Sequence, residues 1–293
     1  MDREIEYLRR TQEGPVNVAA LKSLKQLRKL IDKKVDAPEP FKKVLEDWNK
    51  FRVYAITAVV YDEYPALTKC WKHLQAKFGE WAFDESMICA WAFFNFPLEN
   101  GLSFGENFVA SDDAPEQLKP FVRDMVATRL GLYQVVLNSG KYLRLKELIT
   151  DKVFEAHNTI DTPATGEISL ARLVPVDDRF MIFGSPSSFP AEYKEQLESM
   201  VLSKMLLYYG EGSDSYEKHM KLSGPYWVSV VSENRNADIL NPDYQERYHD
   251  EELTFTTSLP DWMMPKSTEA EDKKLKARKD KRKAARKARK KNR

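Results

Sequence analysis

Fourteen of the 21 residues from Lys273 to Arg293 are lysine or arginine, and one acid, Asp280, interrupts them. The cations are Lys273, Lys274, Lys276, Arg278, Lys279, Lys281, Arg282, Lys283, Arg286, Lys287, Arg289, Lys290, Lys291 and Arg293. At this density their chemistry is phosphate neutralisation. Each contact releases a condensed counterion, so affinity arises without sequence preference and falls with salt. The spacers are mainly alanine (Ala277, Ala284, Ala285, Ala288), with no Pro or Gly. Alanine, lysine and arginine favour helix, but like charges repel, so the free segment is expected to be disordered and to become helical on a polyanion. It holds no aromatic residue to stack on unpaired bases, which favours backbone tracking of structured RNA or DNA.

The charge is segregated. The whole chain has 46 bases and 45 acids, yet residues 1–272 carry 32 bases and 44 acids, a net of −12 against +13 for the tail. Such asymmetry is expected of a chain with a polyanionic partner. Folding back on the acidic body, solubilisation, contact with anionic lipid and nuclear import are other uses open to such an arm. Membrane anchoring fits least, because Leu275 is the tail's one large apolar residue.

Elsewhere no constellation of catalytic type is visible. His73, His157, His219 and His249 lie far apart, and none sits in a metal-ligand spacing. His249-Asp250-Glu251-Glu252 offers oxygen ligands and one imidazole, but an acidic surface turn explains it better. Gly210-Glu211-Gly212-Ser213 has the look of a phosphate loop without the Lys-Ser or Lys-Thr that should follow, and it follows a helix pattern where a P-loop follows a strand. Cys70 and Cys89 are too few for a disulfide framework or a four-cysteine zinc site, and each sits in an apolar helical pattern as a small hydrophobe. Asp84-Glu85 and Asp112-Asp113 read as helix-start acids. Trp48, Trp71, Trp81, Trp91, Phe93 and Phe94 recur at core spacing. Neither catalytic residues, metal nor cofactor are expected.

The elements that carry these residues change character along the chain. Residues 1–128 read as helical: Val18 to Lys34, Pro40 to Asp62, Pro65 to Phe78, Asp84 to Phe96, and a last helix from Pro115 capped by Asp112 or Asp113. Residues 97–113 read as an irregular link. Residues 129–190 carry strand chemistry in Leu132–Leu137, Tyr142–Leu148, Val153–His157, Glu167–Val174 and Phe180–Phe183, a small antiparallel barrel of SH3-like or OB-like size. Residues 191–265 read as a helix from Pro190 to Tyr209 with a stripe of Leu197, Met200, Val201, Met205 and Leu206, a short helix at Ser215–Lys221, and strands at Tyr226–Val231 and Leu253–Ser258. Residues 266–293 are the basic tail. The fold class is α+β: helical N-terminal domain, small barrel, mixed α/β C-terminal portion and disordered tail.

The middle region, with Leu145-Lys146-Glu147-Leu148-Ile149-Thr150-Asp151 and Ala171-Arg172-Leu173-Val174-Pro175, resembles the body of uncharacterised bacterial proteins that often end in a SEC-C motif, a short cysteine-rich zinc-binding tail. The match runs from Leu132 to Gly184, about a fifth of the chain. The C-terminus here has no cysteine, so the resemblance implies no zinc site. It implies that the polycationic tail stands where a macromolecule-contacting tail would be.

The expected function is therefore non-enzymatic binding of nucleic acid or a ribonucleoprotein such as the ribosome through the tail. The acidic, aromatic-rich body is left as a protein-contact surface. A protein adapter with a merely solubilising tail and an enzyme with a dispersed active site are the alternatives. No apolar run reaches the length of a membrane span, and the acidic start Met1-Asp2-Arg3-Glu4 lacks signal-peptide character, so a cytoplasmic protein is expected.

Overall fold

The computed structural model describes residues 18–31, 33–39, 41–78, 86–158, 163–210 and 212–234, and all structural statements concern these. The tail, Trp81, Asp84, Glu85, His249 to Glu252 and Leu253 to Ser258 lie outside them. The described elements belong to one compact unit with an α+β fold.

Helical periodicity builds the first half. In α1 (Val18–Leu30) the buried residues Ala20, Leu24 and Leu27 fall on one stripe. Helix α2 (Phe41–Val60) buries Trp48, Phe51, Ala55, Ile56 and Val59 at steps of three and four. Helix α3 (Pro65–Phe78) starts on a proline, whose missing N–H costs nothing in a first turn. Helix α4 (Ser86–Phe94) is buried at every position from Met87 to Phe94, as befits a helix apolar all round. Its Phe94 stacks on Phe51 with ring centres 4.8 Å apart, and Phe108 meets Phe51 edge-on at 5.2 Å. Cys70 and Cys89 are buried and free, and burial raises the Cys70 thiol well above its usual range.

The stretch read as an irregular link contains a helix, α5 (Phe104–Ala110). Ser103 accepts from the Glu106 amide, and Glu106 accepts from the Ser103 amide, a reciprocal capping box. The following helix, α6 (Lys119–Ala127), is entered through a 3-10 turn at Glu116–Leu118. Neither Asp112 nor Asp113 caps it. Leu118 stands at the cap position, without a side-chain hydrogen bond.

Five strands follow: β1 (Leu130–Asn138), β2 (Tyr142–Glu147), β3 (Val153–His157), β4 (Ile168–Val176) and β5 (Arg179–Phe189). They close into a barrel in the order β1-β2-β3-β5-β4. Three tight hairpins make every sequential pair in β1-β2-β3 and β4-β5 antiparallel, but closure sets β3 beside β5 in parallel, through Ala156–Phe180 and His157–Met181. Four of the five pairings are antiparallel, as expected of a small antiparallel barrel, and this seam is the exception. Five strands within residues 130–189 give a barrel of the small size anticipated. Tyr133, Val135, Leu143, Leu145, Ala156, Ala171, Leu173 and Ile182 fill its interior.

Three helices complete the described chain: α7 (Lys194–Tyr208), α8 (Ser213–Leu222) and α9 (Gly224–Asn234). Tyr226–Val231, expected as a strand, lies in α9. Tyr226, Trp227, Val228 and Val230 are all buried, so no polar face marks the helical period, and the β-branched composition mimics a buried strand. Gly224 allows this helix to approach α4, since a Cβ there would stand 2.4 Å from Trp91. Trp91 donates its indole N–H to the Lys221 carbonyl at 3.1 Å. In α7 the expected stripe holds for Leu197, Val201 and Met205, but Leu206 points to solvent.

His219, on α8, is 3% exposed, with Tyr209 and Trp227 rings at 5.9 and 6.2 Å. Its Nε2 has no hydrogen-bond partner among the described residues. Burial, reinforced by the Lys204 charge, pushes its pKa down to about 4. An unfolded chain takes this proton near pH 6.5, whereas the folded one resists it until about pH 4. The stability contributed by neutral His219 is therefore full above pH 6.5 and lost as pH falls toward 4. The loss between pH 7 and 4.5 should be about 2 kcal/mol, readable in urea midpoints at those two pH values, and it should shrink in His219→Phe. An unchanged pH profile in that variant would refute the assignment.

Candidate nucleic-acid interface

The barrel has two unlike outer faces. Strand β4 is buried at every position except Pro175, so both of its faces are covered: one looks into the barrel, the other onto helices. On the helix side Arg172 reaches Asn95, Met125 and Thr128. Phe183 of β5 meets Trp48 edge-on at 5.2 Å. Gly184, at φ +86°, turns β5 against α4, where a Cβ would stand 2.9 Å from Met87. At the start of β1, Arg129 ties the barrel to α8 through Glu217.

The outward residues of the end of β1, of β2 and of β3 are open instead. A register shift between Val135 and Leu137 inserts Val136, so Val136 and Leu137 are both left half-exposed. Across the strands, Leu137 pairs with Arg144, Arg144 with Glu155, Lys146 with Val153, and Tyr142 with His157. Val153 is 56% exposed, the most exposed large apolar side chain of the described residues. This face thus interleaves cations and apolar groups.

Tyr142 is its centre. The Arg179 guanidinium lies 4.2 Å from the ring centre, Lys141 Nζ 5.3 Å, and the His157 ring 5.4 Å. Arg144 pairs with Glu155 at 3.1 Å, Lys146 with Asp151 at 2.7 Å, and Lys152 with Glu217 at 3.7 Å. The hydrogen bond from Lys146 holds the Asp151 carboxyl below its ordinary range. These pairs are solvent-exposed and screened, so a phosphate can displace the acid at little cost. On a body of net charge −12, this face gathers five cations, Lys141, Arg144, Lys146, Lys152 and Arg179, held by the acids Asp151, Glu155, Asp178 and Glu217.

Sequence reading placed its site residues only in the tail, beyond the described structure. It did not single out Tyr142, Arg144, Lys146 and Arg179. The signal was present in Tyr142-Leu143-Arg144-Leu145-Lys146, where strict alternation puts the two cations and the tyrosine on one face. His73, His157 and His219 sit in separate places, on α3, β3 and α8. Among the described residues no three His, Cys, Asp or Glu side chains gather as metal ligands, and no helix is long and apolar enough to cross a membrane. No family model, curated protein or solved structure matches the chain.

Proposed function

We propose that the chain is a non-enzymatic nucleic-acid-binding protein of the cytoplasm, acting on RNA, DNA or a ribonucleoprotein such as the ribosome. The observation that carries this reading is the charge segregation: 14 cations in the last 21 residues of a chain whose remainder is net acidic. The tail supplies phosphate contacts without sequence preference. The open barrel face adds what the tail lacks, an aromatic ring set among cations, to which an unpaired base can stack while the backbone tracks Arg144 and Lys146. On this reading the tail also takes the place of the zinc tail in the bacterial proteins that the barrel sequence resembles.

The test is binding of fluorescent single-stranded and duplex RNA and DNA by the full chain and by a chain ending at 265. Six to ten phosphate contacts lower affinity by roughly 10³–10⁵ between 50 and 200 mM salt, and truncation should flatten that slope and lower affinity at least tenfold. Tyr142→Ala should selectively weaken single strands. Undiminished affinity in the truncated chain would sink the role of the tail. A protein adapter is the second reading, favoured by Leu202, Leu206 and Leu207, which stand 39–43% exposed on α7. It predicts a protein partner captured equally well after nuclease treatment and without the tail.

A further inference from the structure

A groove of about 800 Å³ opens between α1, α2 and α5, away from the barrel, within the size range of small-ligand sites. Aromatic rings make its floor. Tyr54 meets Phe108 edge-on at 5.6 Å, Tyr64 meets Phe104 at 5.5 Å, and Tyr61 joins the wall. The side chains of Thr57 and Asn107 are already satisfied within the chain. Thr57 donates to the Val53 carbonyl at 2.6 Å, and Asn107 donates to the Ser103 carbonyl while accepting from Asn100.

The charges are less balanced. Glu63 and Asp113 line the groove, and neither carboxylate is paired with a cation among the described residues. Arg28 also lines it, one cation against two carboxylates, and has a partner within the chain. The groove lies at the C-terminal end of α2 and just past that of α5, where the aligned peptide dipoles present their negative ends. Carboxylates, helix C-termini and ring faces share one preference: each attracts a cation.

We propose that this groove binds an organic cation, an ammonium or guanidinium group on an aliphatic stem. The stem lies along Tyr54, Phe104 and Phe108, and the charge faces Glu63 and Asp113. An inorganic cation would leave the rings without a partner, and a neutral ligand would leave the carboxylates without one. A free amine and the side chain of a lysine-bearing peptide present the same chemistry. The site is distinct from the barrel face and stands or falls separately from the nucleic-acid reading.

Titration calorimetry on the full chain tests it with three probes: cadaverine, a capped Gly-Lys-Gly peptide, and pentanediol as the neutral counterpart. The expected result is saturable binding of at least one cation, ten times or more tighter than the diol. The tighter cation identifies the source. The isosteric double variant Glu63→Gln with Asp113→Asn, shown to be folded by its thermal melt, should lose at least tenfold. Tyr54→Leu should lose severalfold through its ring alone. Binding of neither cation above the diol, or full affinity in the double variant, overturns the proposal.

Discussion

Arg172→Leu is expected to cost about 2–4 kcal/mol of folding stability, a large part of the roughly 5–15 kcal/mol that a domain possesses. Arg172 is 0% exposed and has no carboxylate partner among the described residues. Its Nη1 donates to the Met125 carbonyl at 3.1 Å, the Thr128 carbonyl at 3.2 Å and Thr128 Oγ1 at 3.0 Å, and its Nη2 donates to Asn95. Burial pulls its pKa down to about 9, which leaves it charged at neutral pH. The counter-charge is the C-terminal end of α6, where the negative end of the helix dipole gathers. Removing the guanidinium leaves buried Asn95 Oδ1 without its donor, takes one of several donors from the Met125 and Thr128 carbonyls, and leaves a void where barrel meets helices. Arg172→Lys should recover only part of the loss, because one ammonium cannot replace a planar fork that reaches two elements. Urea unfolding at pH 7 checks both. A cost under about 1 kcal/mol for the leucine variant would mean that the joint is not held this way.

The second large effect lies a few residues away. Arg129 donates to Glu147 Oε1 at 2.9 Å, to the Leu130 carbonyl at 3.0 Å and to Glu217, and its guanidinium sits 4.8 Å from the Tyr216 ring centre. Burial works against its charge, but the Glu217 hydrogen bond and the fields of Tyr216 and Glu147 outweigh it, so its pKa is raised. Glu147 is 1% exposed, with Thr150 as its other donor. Arg129→Leu should therefore cost about 3–5 kcal/mol, mostly because it strands the Glu147 charge in the interior. The telling measurement is the double variant Arg129→Leu with Glu147→Leu. With both charges gone the penalty should fall by about 2 kcal/mol or more relative to the single change. Additive losses would show that the two side chains act independently.

These two arginines explain why the fold was more legible than its joints. Alternation in Tyr142-Leu143-Arg144-Leu145-Lys146 and the three-and-four spacing from Trp48 to Val59 are local patterns, and they gave strands and helices close to those observed. Val153–His157 and Pro65–Phe78 agree residue for residue. The partners of Arg172 and Arg129, by contrast, lie 77 and 88 residues away in Asn95 and Glu217, and no periodicity points across that distance. The strand expected at Tyr226–Val231 failed for a different reason. Burial on most sides erases the polar positions that tell a period of 3.6 from one of 2. The helix at Phe104–Ala110 was readable from Ser103 and Glu106 three residues on, but the surrounding Gly and Asn outweighed that cue. On the functional side, composition alone exposed the tail, whereas the platform around Tyr142 required β5 to bring Arg179 beside β2.

The seam between β3 and β5 has one more consequence. Because the sheet closes on itself, it has no first or last strand. An open sheet carries a row of unused amides and carbonyls along its margin, and any extended chain can zip onto that row whatever its side chains. Here the seam pairs Ala156 with Phe180 and His157 with Met181, so closure leaves little of that row to lend. A sixth strand, or two copies paired margin to margin, is thereby disfavoured. Whatever docks on the barrel must be chosen by side chains, so partner choice there is writable residue by residue, at positions such as Tyr142 and Arg144, without disturbing the ladder beneath them.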